Sequence, residues 1–223
     1  MLRKYDKLYS STIGRDVEFL TYGHYGPPMI VFPTAGGRFY DFENNGMIDA
    51  VAPWVDAGKV KLYCIDGIDR ESWINFDLAP ADRARRHNDY KDFIVNVLAP
   101  AIRSESESPD TKIAVTGCSV GGFHAANFAL QFPQVFDYAL CLSGRYNIEA
   151  ICGYSDSLDV YFNNPVAYTY HLSGEALERV RRDTHLVLVC GQGAWEDICL
   201  AETHRLADIL AANHFSLSGK RGV

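Results

Sequence analysis

The sequence has no Cys-x-x-Cys pair and no uninterrupted apolar run long enough to cross a bilayer. Dithiol redox chemistry, zinc sites built on paired cysteines and a transmembrane helix therefore have no support. The six cysteines, at positions 64, 118, 141, 152, 190 and 199, are scattered. Cys64, Cys141 and Cys190 fall inside apolar runs that read as buried strands, so free thiols are expected. Histidine spacing suitable for a metal is also absent. No basic cluster stands against the formal net charge of -7, which argues against nucleic acid or an anionic membrane as a partner. The first residues, Met-Leu-Arg-Lys-Tyr-Asp, have no apolar signal-peptide core behind them. A cytoplasmic setting is expected. No internal repeat is found.

What is present is an alternation of short apolar runs and helical patterns. A chain of 223 residues suits a single α/β domain. Strands are expected at 16–22, 29–32, 61–66, 113–116, 138–142 and 186–190. Helices are expected at 44–57, 83–102, 123–130, 175–182 and 199–213, from apolar residues at helical spacing. In the second of these Tyr90, Phe93, Ile94 and Val97 share a face, and Pro100 is expected to kink the helix or end its regular part. In the last, Thr203, Leu206 and Leu210 stack on one side. Residues 145–174 are rich in Tyr, Asp, Asn and Pro and read as a lid or rim within one domain spanning 1–223. All-apolar strands between helices imply a mostly parallel sheet covered on both faces. Sites in such sheets lie at the carboxyl ends of the strands. Residues 33–37, Asp66, Ser119, Ser143 and residues 191–197 all follow strands at that end.

One of those strand ends carries Ile113-Ala-Val-Thr-Gly-Cys-Ser-Val-Gly-Gly122, a G-x-S-x-G pattern between a β-branched strand and a helix. This is the setting of a nucleophile elbow, where a sharp turn lifts a serine hydroxyl above the sheet edge. The other reading is a glycine-rich connection that holds a phosphate at a helix N-terminus. Ser119 is the candidate nucleophile. Centring the pattern on Cys118 instead would put Thr116 and Val120 where glycines are needed. A nucleophilic serine needs a base, an acid that orients the base, and donors for the oxyanion. The amide of Val120 is the first candidate donor, and that of Thr34 or Ala35 the second. The acid is expected after the strand at 186–190, where Glu196 and Asp197 are both candidates and Asp197 is preferred. The pair equally suits the dipole of the helix that follows.

The segments Val31-Phe-Pro-Thr-Ala-Gly-Gly-Arg-Phe-Tyr40, Gly117-Cys-Ser-Val-Gly-Gly122, Leu142-Ser-Gly144, Val160-Tyr-Phe-Asn-Asn-Pro165 and Trp195-Glu-Asp-Ile-Cys-Leu200 together resemble the esterase D-like branch of the α/β-hydrolase superfamily. The resemblance implies an α/β-hydrolase fold and a serine carboxylesterase. Such an enzyme acts on a small-molecule carboxylic ester or thioester through an acyl-serine, without a cofactor. It also implies the chain order serine, acid, histidine. Only His204 and His214 follow the acid. His204 falls inside the last helix, about two turns on, which leaves His214 as the candidate base. His24, His87, His124, His171 and His185 read as structural. The family is expected to continue with another strand, a histidine loop and a closing helix, whereas residues 215–223 are too short and polar for them. The last strand and helix are thus expected to be missing, with the open sheet edge pairing to a second copy as a homodimer. The alternatives to an esterase are a catalytically impaired scaffold or binding module, and an acyltransferase on the same fold.

Overall fold

The computed structural model describes residues 1–215. Most of the polar tail 215–223 lies outside the described residues. Seven strands form one sheet: β1 Arg3–Ser10, β2 Arg15–Tyr22, β3 Pro28–Phe32, β4 Lys61–Ile65, β5 Ile113–Cys118, β6 Phe136–Leu142 and β7 His185–Val189. Their order is β1-β2-β4-β3-β5-β6-β7. The run from β4 to β7 is parallel, and β1 and β2 are antiparallel additions at one edge. Each strand expected from the sequence is present, and β1 is an addition. Its side chains are mostly exposed on both faces, so no apolar alternation marks it. What holds β1 is the full register with β2, from Arg3 opposite Tyr22 to Ser10 opposite Arg15.

The helices are α1 Asp41–Asn44, α2 Met47–Asp56, α3 Pro80–Phe93, α4 Ala99–Glu105, α5 Val120–Gln131, α6 Glu149–Cys152, α7 Leu158–Tyr161, α8 Pro165–Tyr168, α9 Gly174–Asp183 and α10 Asp197–Ala212. A π-helical turn, Ile94–Leu98, joins α3 to α4 just ahead of Pro100. A proline cannot donate to the preceding turn and crowds the carbonyl four residues back, and the wider turn accommodates both effects. The expected interruption at Pro100 is therefore a bulge in a helix that continues.

Alternate residues of β3 serve two cores. Ile30 and Phe32 join the large cluster with α3 and α5, and Val31 joins Leu20, Leu62, Ile48 and Val55 under α2. That alternation explains why β3 reads as all-apolar: both of its faces are covered. Over β6 and β7 the second face is less covered, with Tyr138, Leu140 and Leu142 only half-buried. Helix α5 runs through the middle of the protein, buried from Val120 to Leu130. Residues 145–174 contribute Ile148, Cys152 and Val160 to a third cluster with Trp73, Val120 and Phe123, over the first turn of α5. Among the described residues no helix is long and apolar enough to cross a membrane.

The parallel register aligns the strand ends. Phe32 pairs with Gly117, Cys118 with Leu142, and Leu142 with Val189. The loops that follow β3, β5, β6 and β7 therefore leave the sheet side by side.

Candidate active site

Ser119 is the residue between β5 and α5. Its backbone has φ 59° and ψ −118°, a conformation that a residue with a Cβ adopts only under strain. Hydrogen bonds on both sides hold it there. Its amide donates to the Leu142 carbonyl at 3.0 Å, and its carbonyl accepts from the amides of Phe123 and Arg145, each at 3.2 Å. The flanking glycines follow from the crowding of this turn. A Cβ on Gly117 would lie 2.5 Å from the Gly121 carbonyl, and one on Gly121 would lie 2.5 Å from the Phe32 carbonyl oxygen. Val120 opens α5, where first-turn amides have no acceptor within the helix.

The loop after β3 lies against this turn. The Gly37 amide closes it on the Thr34 carbonyl at 2.8 Å. The Thr34 amide donates to the Asp41 carboxylate at 2.9 Å. Of the two amides expected to face an oxyanion, Thr34 thus already has an acceptor, and Ala35 is exposed at the tip of the turn. Asp41 holds the loop beside the candidate site, and sequence reasoning missed it. Its only mark in the sequence is an acid at the start of a short helix. After β7, Glu196 folds back over Gly191, and its carboxylate accepts from the Cys190 thiol at 3.5 Å. Asp197, preferred from the sequence, is exposed on the first turn of α10. Adjacent residues at a helix start point in different directions, and here Glu196 is the one turned inward. Burial, then the Glu196 carboxylate and, less strongly, that of Asp41 push the Cys118 thiol pKa up. Both carboxylates therefore lie within electrostatic reach of the residue next to Ser119.

Residues 10–211 match the profile of the family described as "Putative esterase". The chain belongs to this esterase family. Its reaction class is carboxylic-ester hydrolysis. No functionally curated protein matches the chain. Among solved structures, a ferulic acid esterase superposes with a TM-score of 0.75 at 13% identity, covering 96% of this chain and 87% of that one. FphF, a fluorophosphonate-binding serine hydrolase of Staphylococcus aureus, gives 0.70 at 16% identity over 96% and 88%. The S-formylglutathione hydrolase FrmB of Staphylococcus aureus gives 0.66 at 14% identity over 96% and 86%. At these identities the likeness is one of fold, the α/β-hydrolase fold with its mostly parallel sheet.

The seven histidines of this esterase are spread over the fold. His214 caps the far end of α10 with φ 56°; its amide donates to the Ala211 carbonyl at 2.9 Å and that of Phe215 to the Leu210 carbonyl at 3.0 Å. Helix α10 starts at the site and runs back along the sheet, and its 16 residues span about 24 Å. His214 is therefore not brought to Ser119, which corrects the expectation from chain order. His204 borders an open groove between α8 and α10 together with His171 and Tyr170. His185 stacks on Tyr138 at the start of β7, and His24 lines a cavity with Pro27 and Lys61 at the other end of the sheet. His124 is fully inside, its Nε2 3.1 Å from Asp69 Oδ1, and its ring stacks on that of His87 at 5.1 Å. Among the described residues no histidine hydrogen-bonds the Ser119 hydroxyl.

Proposed function

We propose that this esterase cleaves carboxylic esters or thioesters through an acyl intermediate on Ser119, at a nucleophile elbow. The observation that carries the reading is the strained φ of Ser119 at the β5–α5 turn, with the Val120 amide beside it. A base takes the Ser119 hydroxyl proton, to return it to the leaving group, as the oxygen attacks the carbonyl carbon, and the developing oxyanion is held by the amides of Val120 and Ala35. Collapse of that intermediate expels the alcohol or thiol, and water then releases the acid. In this reading Glu196, turned inward after β7, is the acid that orients the base and balances its positive charge. Residues 145–174 form a rim over the first turn of α5. All six cysteines are free thiols, which supports the cytoplasmic setting in this reading.

A fluorophosphonate probe tests the nucleophile. Labelling at Ser119, mapped by peptide mass spectrometry, is expected, and a folded protein that resists the probe overturns the assignment. The placement of the histidines favours one second reading, a hydrolase-fold binding module with little turnover. Rates of para-nitrophenyl acetate hydrolysis by wild type and Ser119→Ala separate the two: equal rates leave the binding module, and a large drop removes it. Acyl transfer on the same scaffold would show as a new ester when an alcohol acceptor is added.

A further inference from the structure

The loop after β3 is held from outside by Arg70. This residue sits in the 3-10 turn Asp69–Glu71, and its Nε donates to the Gly36 carbonyl at 3.1 Å. The guanidinium borders a cavity of about 380 Å³ formed by the start of β2 and the loops after β3 and β4. The antiparallel pairing of β2 brings its start to the same sheet end as Ser119, with the Asp66 amide bonded to the Glu18 carbonyl at 2.9 Å.

The charges around this cavity are paired with one exception. Arg15 meets Glu71 at 2.7 Å, and Arg38 meets Asp66 at 2.6 Å and Glu18 at 2.5 Å. The fourth carboxylate of the lining, Asp16, is held by Lys7 at 2.6 Å. Arg70 is the cation of the lining that has no carboxylate among the described residues. Its two terminal amino groups have no protein acceptor there, and the side chain is exposed. A guanidinium offers two parallel N–H donors in a plane, the arrangement that fits the two oxygens of a carboxylate. Gly36 follows Ala35, and successive Cα atoms lie about 3.8 Å apart, so the fork is within roughly 10 Å of the Ala35 amide. A substrate whose carbonyl oxygen reaches that amide can place a group several bonds away on Arg70.

We propose that Arg70 binds a carboxylate carried by the substrate, which makes this an esterase for esters with an anionic arm. The proposal rests on the reading of the loop after β3 as the oxyanion loop. The carboxylate can belong to the acyl or to the alcohol half. Stable amide analogues distinguish these without requiring turnover. Glutaric acid mono-para-nitroanilide carries it on the acyl side, para-(pentanoylamino)benzoate on the other, and pentanoic para-nitroanilide is neutral. Dissociation constants are measured by calorimetry for wild type, Arg70→Gln and Arg70→Lys. Glutamine keeps a donor for the Gly36 carbonyl while removing the charge.

One of the two anionic analogues is expected to bind wild type at least about tenfold more tightly than the neutral one, and Arg70→Gln to remove most of that difference. Arg70→Lys is expected to keep part of it, and added salt to shrink it. Two results overturn the proposal. One is a wild type without preference. The other is an Arg70→Gln variant that weakens neutral and anionic analogues equally, which leaves Arg70 as a brace for Gly36. Failure of Ser119 to take the fluorophosphonate probe would remove the esterase reading and leave this binding measurement standing on its own.

Discussion

The Asp41 carboxylate accepts the Thr34 amide hydrogen at 2.9 Å, one residue from the amide assigned to the oxyanion. The bond takes Thr34 out of the donor set and fixes the turn from which Ala35 projects. Removing it in Asp41→Ala is expected to cost about 1 kcal/mol of stability in urea unfolding, since the acceptor is charged but only half-buried. The same variant is expected to lower kcat by about tenfold with KM little changed, because a loosened donor acts on the transition state. Asp41→Asn keeps an acceptor and should recover most of both losses. A rise in kcat for Asp41→Ala would mean that the carboxylate obstructs the site.

Ser119 carries a measurable backbone strain. Glycine adopts positive φ freely, so Ser119→Gly is expected to be more stable than Ser119→Ala by about 1 kcal/mol, although both lack the hydroxyl. Paired thermal or urea unfolding curves check this. Equal stabilities would show that the turn accommodates a Cβ without cost.

How much of this was legible in the sequence depends on whether the cause is local. The β5–Ser119–α5 unit could be read because glycines and serine occupy fixed spacings in one continuous stretch. Leu206 and Leu210 could be placed because helical periodicity exposes a buried face. β1 could not, since Arg3, Lys4, Asp6 and Lys7 give no apolar alternation and the strand exists through its ladder with β2. Asp41 escaped because its contact joins separate loops, and although Glu196 was a candidate beside Asp197, no pattern of neighbouring residues encodes which of the two turns inward. His214 looked eligible from chain order alone; its exclusion needed the length and direction of α10.

The two acids make a clean comparison. On the proposed reading, Glu196→Gln is expected to reduce kcat/KM at least about tenfold, because the acid of a triad supports the charge that forms on its base. Asp197→Asn, changing an exposed side chain, should stay within about twofold. The reverse ranking in steady-state kinetics would return the role to Asp197.

The free edge of β7 bears on association. Among the described residues no strand lies beyond it, and Val189 is 47% exposed there. Such an edge offers unpaired amides and carbonyls to another chain. We expect a dimer formed through β7, and Val189→Lys should shift it toward monomer, since edge lysines oppose strand pairing. Light scattering across a concentration series decides the matter: a monomeric wild type at high concentration rules the dimer out.

The buried His87 imidazole makes stability depend on pH. His87 is enclosed by Trp73, Phe123, Tyr90 and the His124 ring, with Lys91 on its own helix and Asp69 on the far side of His124. Burial above all, then His124 and Lys91, holds its pKa well below the ordinary value. A base with a depressed folded pKa is neutral in the native state but takes a proton when unfolded. The stability it contributes is therefore complete above the unfolded pKa of about 6.5 and is lost as pH falls below it, by up to about 1.4 kcal/mol per pH unit. His87→Phe keeps an aromatic ring among Trp73 and Phe123 and has no proton to take up. Its urea midpoint should vary less than that of wild type between pH 7 and pH 5. Parallel pH profiles for the two proteins would show that His87 does not carry the acid sensitivity.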